Sequence, residues 1–438
     1  MRKLLSLILL LVPAILAADV ERGAPLPRKG MIGIGTASDP HGLKVTAVVP
    51  GGAGEKAGLQ TGDIIESLNG KKVTDPAGFA AAIHNMNGGD KFAFRYLRDG
   101  KEAEADGVLI ARPQATETDL DVIYEQVVSR NKRIRIIITK PKSAGPFPAL
   151  FLIGGIGAYS VDAPFKSMPY GNVMGPIANA GYATVRIDKP GQGDSEGPAY
   201  KDLTFNQEAD AYLQALRLVK TLPYIDPARI VLYGHSMGGC FAPVVAAQEP
   251  VKAVIANGTL FASFDEYMLE NTRRQAELGD APEDQLDQEL KQLNAIDCLI
   301  FDKGMSPADV EKRDPDLAAS AKGTFPDGQT YSGVGIPFFR DLEHTNLALA
   351  WSKAKCDALL VYSENDFLSG RADHERIAAW VNRLRPGTAE FKLIPNMDHV
   401  FTKTTSMRDS MAKWGKGGEF NPAIVETIET FLKKEVGD

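Results

Sequence analysis

The sequence predicts an α/β protein, a mostly parallel sheet with helices on both faces and a helical cap insertion, preceded by a small β-rich domain. Three observations predict it. From about Lys29 to Arg112 the chain is glycine-rich and breaks into short apolar runs between turns. From Arg133 onward short apolar runs alternate with helix-length segments, the pattern of strands buried on both faces by crossover helices. Between about Phe264 and Ala350 that alternation stops and a charged, then aromatic, helical stretch intervenes.

A chain of 438 residues is long enough for two or three domains. Its 44% hydrophobic and 24% charged content is that of a globular protein. A net charge of -7 provides no global basic field, so nucleic acid is not an expected partner. Residues 1–18 combine a basic Met-Arg-Lys start, an apolar run from Leu4 and small residues up to Ala18, the build of a secretory signal peptide. The expectation is an exported protein, periplasmic or released to the medium. The apolar run is shorter than the roughly 20 residues that span a bilayer, so no stable membrane span is expected after cleavage. An uncleaved anchor is the alternative, because Leu16 and Ala18 make an imperfect cleavage site. Three cysteines, Cys240, Cys298 and Cys356, do not make a disulfide scaffold. Burial as small apolar residues is the expectation for all three, with a Cys298–Cys356 bridge as the alternative.

The first domain is read over residues 27–113. It contains Met31-Ile-Gly-Ile-Gly35, Leu43-Lys-Val-Thr-Ala-Val-Val49, a Pro50-Gly-Gly-Ala-Gly turn and Ala57-Gly-Leu-Gln-Thr-Gly-Asp-Ile-Ile65. A helix is predicted from Pro76 to about Met86, with Phe79 and Ile83 on one face, then Phe92 to Leu97 turning at Asp99-Gly100. These residues resemble a PDZ domain of the type found in bacterial envelope proteases. The resemblance implies a loop, Gly30-Met-Ile-Gly33, whose N–H groups take a terminal carboxylate, and a strand starting at Ile34 that pairs with an extended peptide. Met31, Ile32, Gly33 and Ile34 are therefore the candidate peptide-binding residues, and a peptide or protein C-terminus is the implied ligand. Docking on the neighbouring domain is the plainer role. The helix begins Pro76-Ala-Gly-Phe, without the histidine that would imply a Ser/Thr-type ligand preference.

Gln114 to Thr118 is polar and suits a linker. The second domain is read over residues 119–438, with strands at Arg133–Thr139, Ala149–Ile153, Ala183–Ile187, Ile230–Tyr233, Ala253–Ala256 and Ala358–Tyr362, and helices at Asn206–Lys220, Met237–Gln248 and about Pro422–Lys433. The insertion, about residues 264–350, carries Leu286, Leu290 and Leu293 on one helical face, with its acidic positions as the solvated side.

Gly234-His-Ser-Met-Gly238 lies where a predicted strand becomes a helix. A nucleophile placed there needs small residues two before and two after it, so that strand and helix can approach. Ser236 is the candidate nucleophile. A serine hydroxyl also needs a base and an orienting carboxylate, in the chain order serine, acid, histidine. Asp366, in Ser-Glu-Asn-Asp, and His399, in Asn-Met-Asp-His, each follow the end of a predicted strand, where open α/β sheets gather their catalytic groups. Glu364 is the rival acid. Asp398 is read as shaping the histidine's loop, and His41, His84, His235, His344 and His374 fail on order or position. For an oxyanion hole the candidates are the N–H of Met237, at a helix start, and that of Ile156 in Gly154-Gly-Ile-Gly, with Gly155 as alternative. That loop lacks the Lys-Ser/Thr of a nucleotide-binding loop.

From Ala149 onward the residues resemble the α/β-hydrolase superfamily of esterases, lipases, thioesterases and serine aminopeptidases. Asp188-Lys-Pro-Gly-Gln-Gly-Asp-Ser matches the loop after its fourth core strand, where Asp188 and Gly191 are loop-shaping. The resemblance makes the insertion a cap bounding the substrate pocket. Many relatives have His-Gly where this chain has Gly154-Gly155. The function expected is hydrolysis of a small-molecule carboxylic ester through an acyl-enzyme, with no cofactor and no metal ligands. The aromatics of the cap lean toward acyl or aryl esters. A peptidase acting on peptide substrates, or a non-catalytic scaffold, are the alternatives.

Overall fold

The computed structural model describes residues 20–162 and 168–437; the signal peptide predicted over 1–18 lies outside the described residues. Two main sheets organise the chain. The first is antiparallel, in the order Ile34–Asp39, Gly42–Val48, Ile64–Leu68, Lys91–Arg98, Lys101–Val108, with Lys71–Lys72 added beside Ile64–Leu68. Strict alternation drives it: in Lys91–Arg98 the residues Phe92, Phe94 and Tyr96 turn inward while Lys91, Ala93 and Arg95 face out, the mark of a half-buried strand. Helix Pro76–His84 closes that core through Phe79. Its start is fixed by Asp75, whose Oδ1 accepts the N–H of Gly78 at 2.7 Å, and by proline in the first turn.

The second sheet has eight strands in the order Ala389–Ile394, Asp357–Ser363, Ala253–Asn257, Ile225–His235, Phe147–Ile153, Ala183–Ile187, Lys132–Pro141, Leu120–Ser129. All neighbours are parallel except those involving Lys132–Pro141, which pairs antiparallel on both sides. Leu150, Phe151, Leu152 and Ile153 are fully or almost fully buried, which explains why that strand reads as a continuous apolar run rather than an alternation. Helices Pro169–Asn179 and Ala423–Val436 cover one face, and Phe205–Val219, Gly238–Ala246 and Arg371–Leu384 the other. Helix Phe205–Val219 begins at a reciprocal cap between Thr204 and Gln207.

Between Asn257 and Asp357 the chain forms the helices Phe264–Leu278, Glu283–Asp297, Pro307–Arg313, Ala318–Thr324, Ile336–Glu343 and Leu347–Lys353. A small hairpin, Thr330–Tyr331 with Val334–Gly335, interrupts what the sequence presents as helical. Its two turn residues, Ser332 and Gly333, both have positive φ, 50° and 77°, as a tight two-residue hairpin requires. The aromatics of this region pack inward. Phe338 and Phe339 are buried, the latter stacked on Phe264 at 4.5 Å. Phe339 packs within the insertion and Phe338 against Phe205 and Phe241 of the helices on the sheet, so they give no reason to favour an acyl or aryl group. All three cysteines are free, Cys240 and Cys356 buried and Cys298 half-buried; the alternative of a Cys298–Cys356 bridge is corrected.

The segment before the first sheet runs along the second. Val128 donates its N–H to the carbonyl of Glu21 at 2.8 Å, and the buried Arg135 reaches the carbonyl of Leu26 at 2.7 Å.

Candidate active site

Strand Ile225–His235 delivers Ser236 into a left-handed turn, φ 56°, before helix Gly238–Ala246. A side chain in that conformation is strained and persists only where its surroundings hold it. Here the holding is steric: a Cβ on Gly234 would strike the carbonyl of Gly238, and one on Gly238 the carbonyl of Ile153. The N–H of Ser236 is tied to the carbonyl of Asn257 at 2.8 Å.

Asp366 and His399 come together 33 residues apart in sequence: His399 Nδ1 and Asp366 Oδ2 are 2.7 Å apart. Both are buried. Asp366 also accepts from Ser369 Oγ at 2.6 Å and from the N–H groups of Leu368 and Ser369 at 2.8 and 3.0 Å. Burial opposes its charge, yet the His399 partner and these donors hold its carboxyl below the usual range. Burial likewise works against protonation of His399, and the Asp366 charge outweighs it, so the imidazole lies above its ordinary value. Its Nδ1 proton points at the carboxylate, which leaves Nε2 as the acceptor.

The rival groups are occupied elsewhere. Glu364 is exposed and its Oε2 accepts the N–H of Asn396 at 2.8 Å. Asp398 accepts from the N–H groups of Val400 and Thr402, shaping the loop. His344 is exposed on the insertion, on the carbonyl of Arg340. His374 is buried with Nε2 on the N–H of Thr259. Asp188 is buried and accepts from Ser160 Oγ and from the N–H groups of Val161 and Asp194, the work of a loop-shaping residue.

Loop Gly154–Ala158 reaches Ser236: a Cβ on Gly155 would lie 3.0 Å from that of Ser236. The N–H of Gly155 is committed to Tyr170 Oη at 2.7 Å, and that of Gly157 to Tyr200 Oη at 2.9 Å. Gly155 is thereby corrected as an alternative oxyanion donor. Between them the N–H of Ile156 has no acceptor among the described residues, and neither does that of Met237. Carbonyls pin the same loop: Gly155 O accepts from Tyr159 Oη at 2.8 Å and from Lys189 Nζ at 2.5 Å.

Several of these residues carry no sequence signal. His235 Nε2 donates to the carbonyl of His399 at 2.8 Å, so its Nδ1 accepts from Tyr170 Oη at 2.8 Å. Burial, with His399 nearby, holds the His235 imidazole down at about 3, a neutral strut joining the elbow to the His399 loop. Trp414, 43% exposed, has its ring 6.1 Å from that of His399 and 5.4 Å from that of Phe367. A cavity of about 730 Å³ between the linker and helix Pro169–Asn179, lined by Leu120, Met174, Arg186 and Phe420 among others, touches none of Ser236, Asp366 and His399.

In the first domain Ile34–Asp39 is an edge strand. Gly30–Met31 pairs with Ile110–Ala111, which removes Met31 from the group expected to offer a free loop. The N–H groups of Ile32 and Gly33 have no acceptor among the described residues, while the carbonyls of the same residues bind Gly54 and Val49.

An α/β sheet with a serine elbow at one strand end and a carboxylate–imidazole pair at two others defines a hydrolase-type domain, here joined to a small β-rich domain. The model of the alpha/beta hydrolase family matches residues 152–409, and the chain belongs to that family. A PDZ domain model matches residues 30–107. Over 351 residues the chain is 22% identical to Esterase EstD of Thermotoga maritima, covering 77% of this chain and 75% of that one. It is 32% identical over 121 residues to Esterase FrsA of Klebsiella pneumoniae, 27% of each chain. Over 111 residues it is 27% identical to the periplasmic serine endoprotease DegP of Escherichia coli, 24% of this chain and 23% of that one.

Proposed function

We propose that this chain is an exported serine esterase that cleaves carboxylic esters through an acyl-enzyme. The observation that carries the reading is the buried Asp366–His399 pair at 2.7 Å, in a chain whose elbow serine is held at positive φ. Ser236 Oγ attacks the ester carbonyl carbon as His399 Nε2 takes its proton. The oxyanion is held by the N–H groups of Met237 and Ile156, which have no other acceptor among the described residues. Collapse expels the alcohol, which receives the proton from His399, and water then releases the acid by the same route. Ester rather than amide is favoured by the esterase name of the relative that aligns with 77% of the chain. The match to a periplasmic endoprotease covers a quarter of the chain and gives the peptidase reading no comparable support.

Export is supported by the composition of residues 1–18. In the PDZ domain, the N–H groups of Ile32 and Gly33 and the open edge of Ile34–Asp39 fit a peptide C-terminus.

The test is labelling with a fluorophosphonate followed by a panel of esters of increasing acyl length beside peptide amides. Ser236→Ala is expected to lose the label and at least about 10³-fold in kcat. Labelling that persists in Ser236→Ala would falsify the nucleophile, and faster turnover of aminoacyl amides than of esters would replace esterase by peptidase.

A further inference from the structure

The insertion carries carboxylates that neither the proposed triad nor the packing of its core uses. Asp265 lies in the first turn of helix Phe264–Leu278, Asp302 closes the turn Cys298–Asp302, and Glu343 ends helix Ile336–Glu343. One oxygen of each lies within 4.8 Å of the others. Two ligands of one calcium ion, bonded at 2.3–2.6 Å, are at most about 4.6–5.2 Å apart, so one ion of that size can touch all three.

Such a cluster alone is common on protein surfaces. Asp297 sets this one apart. At the end of helix Glu283–Asp297 it is fully buried, and neither of its carboxyl oxygens has a hydrogen-bond partner among the described residues. Burial opposes its charge, and the neighbouring Asp265 and Glu343 add to that opposition, so a fourth carboxyl group sits beside the cluster in the interior. One oxygen of Asp265 is also buried and unpartnered. Among the described residues no lysine or arginine pairs with any of the four. Arg340, on the same helix as Glu343, spends its donors on the carbonyls of Ile300 and Met305. The contact recorded within the group is the N–H of Asp265 on Glu343 Oε2, 2.9 Å. Buried, unpaired carboxylates of one sign are kept where a positive charge compensates them.

We propose that Asp265, Asp302 and Glu343, backed by Asp297, form a binding site for one divalent cation of the calcium class. The donors are all oxygen, which selects a hard cation over zinc or copper, and calcium accepts an irregular carboxylate set more readily than magnesium. Asp302 is exposed, which leaves the outer positions to water. The ion would join three segments of the insertion to one another.

The experiment uses the full chain, stripped with EGTA and dialysed, titrated with CaCl2 by calorimetry and followed by thermal unfolding. Expected are one saturable site per chain and a rise in Tm of about 5 °C at saturating calcium. Asp265→Asn and Glu343→Gln should each weaken binding at least about tenfold, while Asp284→Asn, exposed on the neighbouring helix, should bind as the parent does. Asp297→Asn removes the carboxyl that backs the cluster, so calcium should raise its Tm less than it raises the parent's. No saturable binding up to about 10 mM, ten times the weakest extracellular calcium sites, overturns the site, as does binding unchanged in both Asp265→Asn and Glu343→Gln. Ser236→Ala should bind calcium normally, so failure of this site and failure of the esterase reading are read separately.

Discussion

In the proposed mechanism His399 sets the pH dependence. Burial alone would lower its pKa, and the Asp366 charge and hydrogen bond reverse the sign. The base works only when neutral, so kcat/KM should rise with pH through a value above the ordinary 6.5 of histidine. Asp366→Asn removes the stabilising charge, and the imidazolium then loses its partner. The acid limb should move to lower pH while kcat falls by about 10³–10⁴. A pH–rate profile of both proteins checks this; an unmoved limb would mean that another carboxylate holds the ring. Asp366 and His399 are legible in sequence because chain order and strand ends narrow the choice. Glu364 could be demoted only by its bond to Asn396. His235, read as a neighbour of the elbow, turns out to join Tyr170 to the His399 backbone, a role invisible without the 65 and 164 residues between partners being folded together.

At the scale of elements, the loop Gly154–Ala158 is the point on which the oxyanion proposal depends. Its glycines announce close approach, but what orients it comes from afar. Lys189 Nζ meets Gly155 O at 2.5 Å, Tyr200 Oη at 3.3 Å and Glu208 Oε1 at 3.1 Å, with lysine and glutamate both buried. Burial pushes Lys189 down and Glu208 up, each opposed by the other's charge. Breaking such a pair leaves one charge unpaired, at a cost of about 3–5 kcal/mol. Lys189→Met should therefore be destabilised by that amount in urea and lose kcat with KM little changed. Lys189→Met with Glu208→Gln should recover part of the stability. A double variant no more stable than the single would show that the two do not act as a pair. Most of the strands, several helices and the insertion are readable from apolar periodicity, because burial imposes it, whereas Leu120–Ser129, a half-buried edge strand, carries too weak a pattern to be read. The aromatic run at Phe338–Phe339 misled because composition does not distinguish a residue lining a pocket from one packed in a core, and the Ser332-Gly333 hairpin was missed because its strands are two residues long.

Across the whole molecule, Arg28 ties the PDZ domain to the hydrolase domain. Arg28 Nη1 lies 2.5 Å from both Asp162 and Asp194, whose side chains are fully buried. Its other nitrogens bind the carbonyls of Arg112 and Pro113 at 3.1 and 2.7 Å, so the same side chain gathers the chain where it enters and leaves the PDZ domain. The N–H of Lys29 adds a bond to Asp194 at 2.9 Å, one residue before the loop proposed to take a peptide end. Arg28→Ala would leave Asp162 and Asp194 buried beside each other, with the Tyr124 hydroxyl on Asp162 and Arg135 at 3.4 Å from Asp194 among their remaining partners. The expected loss is about 3–5 kcal/mol, and it falls on the attachment rather than on either core, since each domain has its own apolar cluster. Limited proteolysis should then cut residues 114–118 at least about tenfold faster, as local opening becomes less costly, while ester turnover is unchanged. If turnover falls together with faster cutting, the docked PDZ domain contributes to the geometry of the Asp188–Asp194 loop and, through Lys189, to the oxyanion loop. If neither changes, Arg28 is not the clamp.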